Sequence, residues 1–417
     1  MERRKDRILL CLCHLSGNEQ KFVQEAFDTN WVVPLGPNVN GFEKDLEEFV
    51  GQNKRVVALS AGTAAVHLAL INCGVKAGDE VCVQSFTFCA SSHPITYLGA
   101  TPIFIDSEKD TWNMDPDLLE EAIKDRISKT GKKPKAIVPV ALYGMPYKID
   151  RIMEIANRYD IPVVEDAAEG FGSKFNGQVL GTFGKYGVLS FNGNKMITTS
   201  GGGALVTAND DEWREIMMYA TQYRESYPYY QHEKIGFNYR MSNICAGIGR
   251  GQMTIVNEHI AHHKHVQKLY EELLKDVPGI KVHTQPSTGE YDSNYWLCTM
   301  TIDPSVKVKG QVNAYKQVIT GAVGGAAGVI HAASSAVTDC QPNDNVEAMR
   351  IALDALNIES RPLWKPMHKQ PCYKDAPAYL NGVSEELFKV GMCLPAGPYV
   401  SDEDVKYIVE TIKSAIL

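Results

Sequence analysis

A chain of 417 residues is too long for one ordinary core and divides into about two to three domain-sized units. Its 44% hydrophobic content lets it bury those units well. A formal net charge of -8, with no stripe of Lys and Arg to neutralise phosphates, disfavours a nucleic-acid partner and favours a small-molecule substrate.

The opening, Met1 to Arg7 followed by Ile8 to Cys13, imitates the charged and apolar regions of a signal peptide. The apolar run is short and ends in His14, with no small-residue cleavage site, so it reads as a strand or extended lead-in. Short β-branched runs then alternate with helical patterns, the signature of a layered α/β domain with a largely parallel sheet. The predicted strands are Arg55 to Ala58, Glu80 to Gln84, Thr101 to Ile105, Ala136 to Val140, Ile161 to Val164, Gly187 to Phe191 and Gly203 to Thr207. Helices are predicted over Ala64 to Cys73, Pro116 to Ile127, Ile149 to Tyr159 and Asp210 to Tyr219. A long helical pattern from Asn243 to about Leu274 leads to a smaller domain. In it Ile280 to His283 and Trp296 to Thr301 read as strands, Val346 to Leu356 and Asp402 to Ile416 as helices. The division expected is 1–255 for the large domain with its lead-in and 256–417 for a small α+β domain.

Ten cysteines occur without a Cys-x-x-Cys pair or zinc-like spacing, and they read as reduced, mostly buried side chains of a cytoplasmic protein. His259 and His263 lie i and i+4 on the predicted helix, a spacing that can hold a metal. No Glu stands between them, and Lys264 and Lys268 mark a solvated face, so no metal is expected. The Gly- and Ala-rich stretch near 312–345 reads as an insertion forming a glycine-rich loop with a small-residue helix. Its composition lacks the bulk of a membrane span.

The chemistry-bearing segment is Ser190-Phe191-Asn192-Gly193-Asn194-Lys195, which runs into Thr198-Thr199-Ser200-Gly201-Gly202-Gly203. Upstream stands Asp166, within Val163 to Glu169. A lysine between a strand end and a glycine run, with an acid on another strand, points to pyridoxal 5'-phosphate (PLP). A lysine amine can hold its aldehyde as a Schiff base while a buried carboxylate keeps the pyridine nitrogen protonated. Ser60-Ala61-Gly62-Thr63, just before a helix, supplies backbone amides for a phosphate, although Gly-Thr there also fits ordinary capping.

Further segments complete an ordered set: Leu15 to Glu19, Asn30 to Pro37, Ala61 to Ala65, Ser85 to Phe88, Gly236 to Asn243, Arg361 to His368 and Leu394 to Pro398. Across most of its length the chain therefore resembles the DegT/DnrJ/EryC1/StrS family of sugar aminotransferases, within the fold-type I PLP enzymes. The resemblance implies catalytic Lys195 and Asp166. It implies phosphate contacts from Gly62, Thr63 and Ser190, and a ring-stacking aromatic at Phe88. Glu169 matches a position often held by His or Gln near the cofactor's phenolic oxygen, where an anion needs a proton or a neighbouring donor. By the same resemblance Asn238 reaches the phosphate across a subunit interface, which implies a homodimer with shared active sites. Trp31, Asn194, Arg240 and His368 fall in segments near the sugar or nucleotide.

The family commonly carries Gly-Glu-Gly-Gly or Gly-Asp-Gly-Gly after the lysine, where this chain has Ser200-Gly201-Gly202-Gly203. Together with Asn-Gly-Asn-Lys, that version resembles the branch acting on UDP-linked 4-keto-6-deoxy N-acetylated sugars. The resemblance thus implies transfer of an amino group from glutamate to the C4 ketone of such a sugar, for glycan or polysaccharide synthesis. Alternatives are a 3-keto-sugar aminotransferase, or a PLP-fold regulatory or binding protein. Related sugar dehydratases carry His at the lysine position, and Lys195 argues against that chemistry.

Overall fold

The computed structural model describes residues 2–316 and 340–417. The core of the Gly/Ala-rich stretch, and with it the loop-and-helix reading, lies outside the described residues.

The large domain is built on β1 (Arg55–Leu59), β2 (Glu80–Gln84), β3 (Thr101–Ile105), β4 (Ala136–Val138) and β5 (Val164–Asp166). A small hairpin, β6 (Lys174–Phe175) and β7 (Gln178–Val179), precedes β8 (Tyr186–Ser190) and β9 (Gly203–Thr207). Pairing gives β3-β2-β4 on one side and β5-β8-β9-β1 on the other. Parallel bridges Ile137 to Val163 and Val140 to Asp166 join them into one sheet. Only β9 runs against the rest, pairing antiparallel with β8 and β1. The strands are buried almost end to end, as expected for a sheet covered on both faces.

Around it pack α1 (Glu19–Asp28), α2 (Pro37–Val50), α3 (Gly62–Asn72), α4 (His93–Tyr97), α5 (Pro116–Thr130), α6 (Ile149–Tyr159) and α7 (Asp210–Ala220). Helix α3 is buried over most of its length, from Ala64 to Leu70, because it lies beneath the sheet's centre. It carries almost no polar face, unlike α6, which turns Ile149, Ile152, Ile155 and Ala156 inward and charges outward.

The single helix expected over Asn243 to Leu274 is two: α8 (Asn243–Met253) and α9 (Val256–Leu274). The break falls at Thr254 and Ile255, where the Thr254 hydroxyl donates back to the Gly251 carbonyl at 2.6 Å, closing the helix end. The small domain follows as β10 (Ile280–Val282), β11 (Tyr291–Asp292), β12 (Cys298–Ile302), α10 (Asp344–Ala355), β13 (Arg361–Pro362), β14 (Ala378–Tyr379), α11 (Val383–Val390), β15 (Gly391–Leu394) and α12 (Asp402–Ala415). Its own sheet runs β10-β12-β15-β13 over a core that includes Val266, Tyr270, Met300, Met349 and Ile408. Two of its strands leave it: β11 pairs with β6, and β14 extends the large sheet beside β3.

The lead-in is extended, as expected, but docks on the small domain. Ile8 bridges Ile358 in parallel, and the Leu10 carbonyl accepts from Ala396 N at 2.8 Å. The chain's first strand-like segment thus joins elements near its other end.

The expectation of a solvated face at His259 and His263 is corrected. Helix α9 turns Val256, His259, Ile260, His263, Val266 and Tyr270 inward, and both rings are buried. His259 Nδ1 lies 3.1 Å from the Met196 carbonyl and its Nε2 lies 3.1 Å from His14 Nδ1. His263 Nδ1 lies 3.2 Å from the Tyr295 carbonyl. They act as polar pegs between helix and loop, and among the described residues no group of three or more metal-ligating side chains gathers.

Burial pushes His263 down to about 3, and does the same to His283, which stacks on Trp112 at 3.7 Å. Below about pH 6.5 the unfolded chain takes up protons at both rings while the folded chain does not. Stability therefore falls by about 1.4 kcal/mol per pH unit for each ring as pH drops toward 3. Denaturant titrations at pH 7 and pH 5.5 measure this slope, and His283→Asn is expected to remove one ring's share of it.

Candidate active site

The carboxyl ends of β2, β5 and β8 open onto one cavity of about 320 Å³, with α3 starting at its wall. This is where open α/β sheets present chemistry, because the strands end and the loops diverge.

Lys195 follows β8 on a turn closed by its own amide, which donates to the Asn192 carbonyl at 3.0 Å. Its Nζ lies 3.4 Å from Glu169 Oε1 and 4.2 Å from the centroid of the Trp296 ring. Glu169 Oε2 accepts from the Tyr143 amide at 2.7 Å. The donors this buried acid needs are therefore both present. Burial still pushes its carboxyl above the ordinary range, against the opposing pull of Lys195.

Asp166 ends β5 and is buried. The Ser91 hydroxyl donates to its Oδ2 at 2.6 Å, and the Ala168 amide to its Oδ1 at 3.1 Å. Desolvation raises its pKa, while the Ser91 and Ala168 donors and the Lys195 charge pull the other way. A cationic group in the cavity would offset that desolvation cost.

The capping explanation for Gly62 and Thr63 fails on the N-cap itself. Ala61 holds that position in an extended conformation, and no side chain caps the helix. Gly62 and Thr63 line the cavity, so the uncapped, positive end of α3 could seat a phosphate there. Ser190 lines the same wall, and a Cβ on Gly62 would sit 3.1 Å from the Ser190 Cβ. Gly203 must also lack a side chain, since a Cβ there would lie 2.4 Å from the Gly62 nitrogen. The two phenylalanines separate clearly: Phe86 is fully buried in the core, whereas Phe88 is 50% exposed and lines the cavity.

Asn194 lines the cavity as well. Arg240 does not reach it: its guanidinium is held by the Glu43 carboxylate, with Nη2 3.1 Å from Oε2, and donates to the Ala58 carbonyl at 2.9 Å. Nor does His368, whose Nδ1 is 2.7 Å from Ser85 Oγ and whose Nε2 is 3.2 Å from Glu385 Oε1. Trp31 and Asn238 are exposed and outside this cavity.

Sequence reasoning missed Ser91, Trp296, Trp364 and Tyr143. Trp364 lies inside the Arg361 to His368 segment and lines the cavity, its ring 5.3 Å from that of Phe88. Ser91 and Trp296 carried no local signal, because only the fold brings them to Asp166 and Lys195.

An uncapped helix N-terminus, a lysine amine and a buried carboxylate around one cavity fit the phosphate, aldehyde and ring nitrogen of PLP. With this sheet order they define a PLP-dependent aminotransferase of fold type I. The DegT/DnrJ/EryC1/StrS aminotransferase family model matches residues 14–324 and 315–413. EpsN of Bacillus subtilis (strain 168) is 40% identical over 97% of this chain and 95% of its own length. A GDP-perosamine synthase of Escherichia coli O157:H7 is 32% identical over 95% of each chain. The crystal structure of a DegT DnrJ EryC1 StrS aminotransferase from Brucella abortus superposes with a TM-score of 0.81 at 27% identity, covering 95% of each chain. The chain belongs to the DegT/DnrJ/EryC1/StrS aminotransferase family and is a PLP-dependent sugar aminotransferase. No helix among the described residues is long and apolar enough to cross a membrane.

Proposed function

We propose that the enzyme moves an amino group from glutamate to the C4 ketone of a UDP-linked 4-keto-6-deoxy N-acetylated sugar. The observation that carries the catalytic part is the Lys195 amine, set between Glu169 and Trp296 at the mouth of the α3 N-terminus. PLP, when bound, supplies an aldehyde to carry the amino group and a ring that takes up electrons. Lys195 Nζ removes the proton from the donor's α-carbon and returns one on the other side of the transfer. Asp166 keeps the ring nitrogen protonated, with Ser91 and the Ala168 amide fixing its two oxygens. Gly62, Thr63 and Ser190 would hold the phosphate, Phe88 would pack on the ring face, and Glu169 would meet the phenolic oxygen. Asn194, which lines the cavity, would contact the sugar substrate.

The sugar is supported by the Asn-Gly-Asn-Lys and Ser-Gly-Gly-Gly pattern. A UDP-2-acetamido-2-deoxy-3-oxo-D-glucuronate aminotransferase of Pseudomonas aeruginosa, 30% identical over 90% of this chain, is a relative with a UDP-linked N-acetylated keto sugar in its name. It also favours a second reading, amination at C3. The visible spectrum of the PLP-loaded enzyme, before and after glutamate, tests the donor. Mass spectrometry of UDP- and GDP-linked 4-keto and 3-keto sugars then tests the acceptor, and amination of GDP sugars alone would reject the UDP reading.

The partner subunit completes the site in this proposal. The exposure of Asn238, and of the apolar Trp31, Val32, Leu35 and Ile235, supports a second copy packing on this chain. Loss of one charge-assisted hydrogen bond to phosphate makes Asn238→Ala bind PLP roughly ten- to a hundredfold more weakly in equilibrium titrations. At a PLP concentration that leaves Asn238→Ala largely unloaded, mixing it with Lys195→Ala protein restores activity, because one site of each mixed dimer then has both residues. No restoration would reject the shared site.

A further inference from the structure

Residues Ser293 to Trp296 lie just ahead of β12 of the small domain and plug into the large one. Asn294 is fully buried, and its side-chain amide donates to the carbonyls of Glu169 at 2.9 Å and Phe171 at 3.0 Å. The Ser293 hydroxyl donates to the Gly144 carbonyl at 3.0 Å. The fit is close, since any Cβ on Gly144 would collide with Asn294 Oδ1. Two residues on, Trp296 Nε1 donates to the Asn194 carbonyl at 2.7 Å, and the ring faces Lys195 Nζ at 4.2 Å.

A tryptophan that merely fills a core needs apolar neighbours. Trp296, 2% exposed, has them, and in addition directs its single donor to the peptide bond joining Asn194 to Lys195 and turns an electron-rich face to the amine. A lysine side chain is long and flexible, so its backbone alone does not aim the amine. Glu169 and Trp296 aim it from two sides, and both hang on one segment, because Asn294 also clamps the Glu169 carbonyl.

The geometry points to Trp296 as a positioning residue that aims the Lys195 amine into the cavity. It does so through its N–H to the Asn194 carbonyl and its ring beneath the amine. The aim of the amine thereby depends on how the small domain seats against the large one. This inference rests on Lys195 being the reacting amine.

Trp296→Phe keeps a ring and drops the N–H, and Trp296→Leu drops both; Trp296→Tyr replaces either if it does not fold, as judged by circular dichroism. Apo-protein is mixed with PLP, reduced with borohydride at set times, and the cofactor mass fixed on Lys195 is counted by mass spectrometry. Fixation is expected to slow about tenfold in Trp296→Phe and more in Trp296→Leu, with kcat falling alongside and KM for glutamate within about twofold. In Lys195→Ala protein rescued by methylamine, adding Trp296→Phe should change the rescued rate by less than about twofold, since no lysine remains to be aimed. Equal losses with and without Lys195, or an unchanged fixation rate, would overturn the inference and leave Trp296 a packing residue. Unaided turnover by Lys195→Ala would reject the lysine reading itself, and this inference with it.

Discussion

Lys195→Ala is expected to purify as a folded protein and to turn over at least about 10⁴-fold more slowly than the wild type. Its amine is the only lysine nitrogen among the described residues lining the cavity. Its contacts are an ion pair with Glu169 and the face of Trp296, and the Trp296 ring keeps its own packing in the hydrophobic core when the amine is removed. Truncation therefore removes chemistry while leaving the sheet and its helices intact. One cost remains: Glu169 loses its cation and keeps only the Tyr143 amide as donor. Burial already pushes that carboxyl up, so it takes a proton more readily, and no unpaired buried charge is left behind. Circular dichroism and a thermal melt check the fold, and single-turnover kinetics with glutamate check the rate. Substantial remaining transamination would refute the assignment.

Asp166→Asn is expected to lower kcat by about 10²- to 10³-fold, with a much smaller change in the concentration of glutamate that half-saturates the enzyme. The substitution keeps the size of the side chain and leaves an oxygen to accept from Ser91 or from the Ala168 amide. What it removes is the negative charge, so nothing at the end of β5 favours a proton on the ring nitrogen. The effect is felt where electrons accumulate during proton removal, not where substrate binds, which is why kcat and KM should part. Asp166→Asn with wild-type kcat would move the proton-holding role elsewhere, and Glu169 would be the next residue to replace.

Much of the large domain was legible because its longer strands are short, continuous apolar runs and helices such as α6 carry their own period. Five strands match the expected bounds to within a residue at each end: Glu80–Gln84, Thr101–Ile105, Gly203–Thr207, Arg55–Leu59 and Tyr186–Ser190. The pairings at a distance were not legible. Two-residue strands such as Lys174–Phe175, Tyr291–Asp292 and Ala378–Tyr379 exist because a neighbour's edge accepts their hydrogen bonds, and two residues hold no period to read.

The cavity divides along the same line. Gly62, Thr63, Phe88, Asp166, Glu169, Ser190, Asn194 and Lys195 all line it, and each stands in a local motif at a strand end or helix start. Ser91 and Trp296 stand in no such motif. Arg240 and His368 stand in motifs yet serve other partners in this chain, Glu43 and the pair Ser85 and Glu385. A motif marks where chemistry gathers, while the direction of a long side chain is settled by what packs beside it.

The placement of Ala378–Tyr379 beside Thr101–Ile105 also bears on how the molecule is made. Until that late segment leaves the ribosome, the large sheet ends in a bare strand with unsatisfied amides and carbonyls on its outer side. At ordinary rates of synthesis the gap lasts on the order of tens of seconds. During that interval the nascent chain offers any passing strand a ready template, so its yield in the cell should depend on how well chaperones shield the stretch at Phe104 and Ile105 that Ala378–Tyr379 later covers.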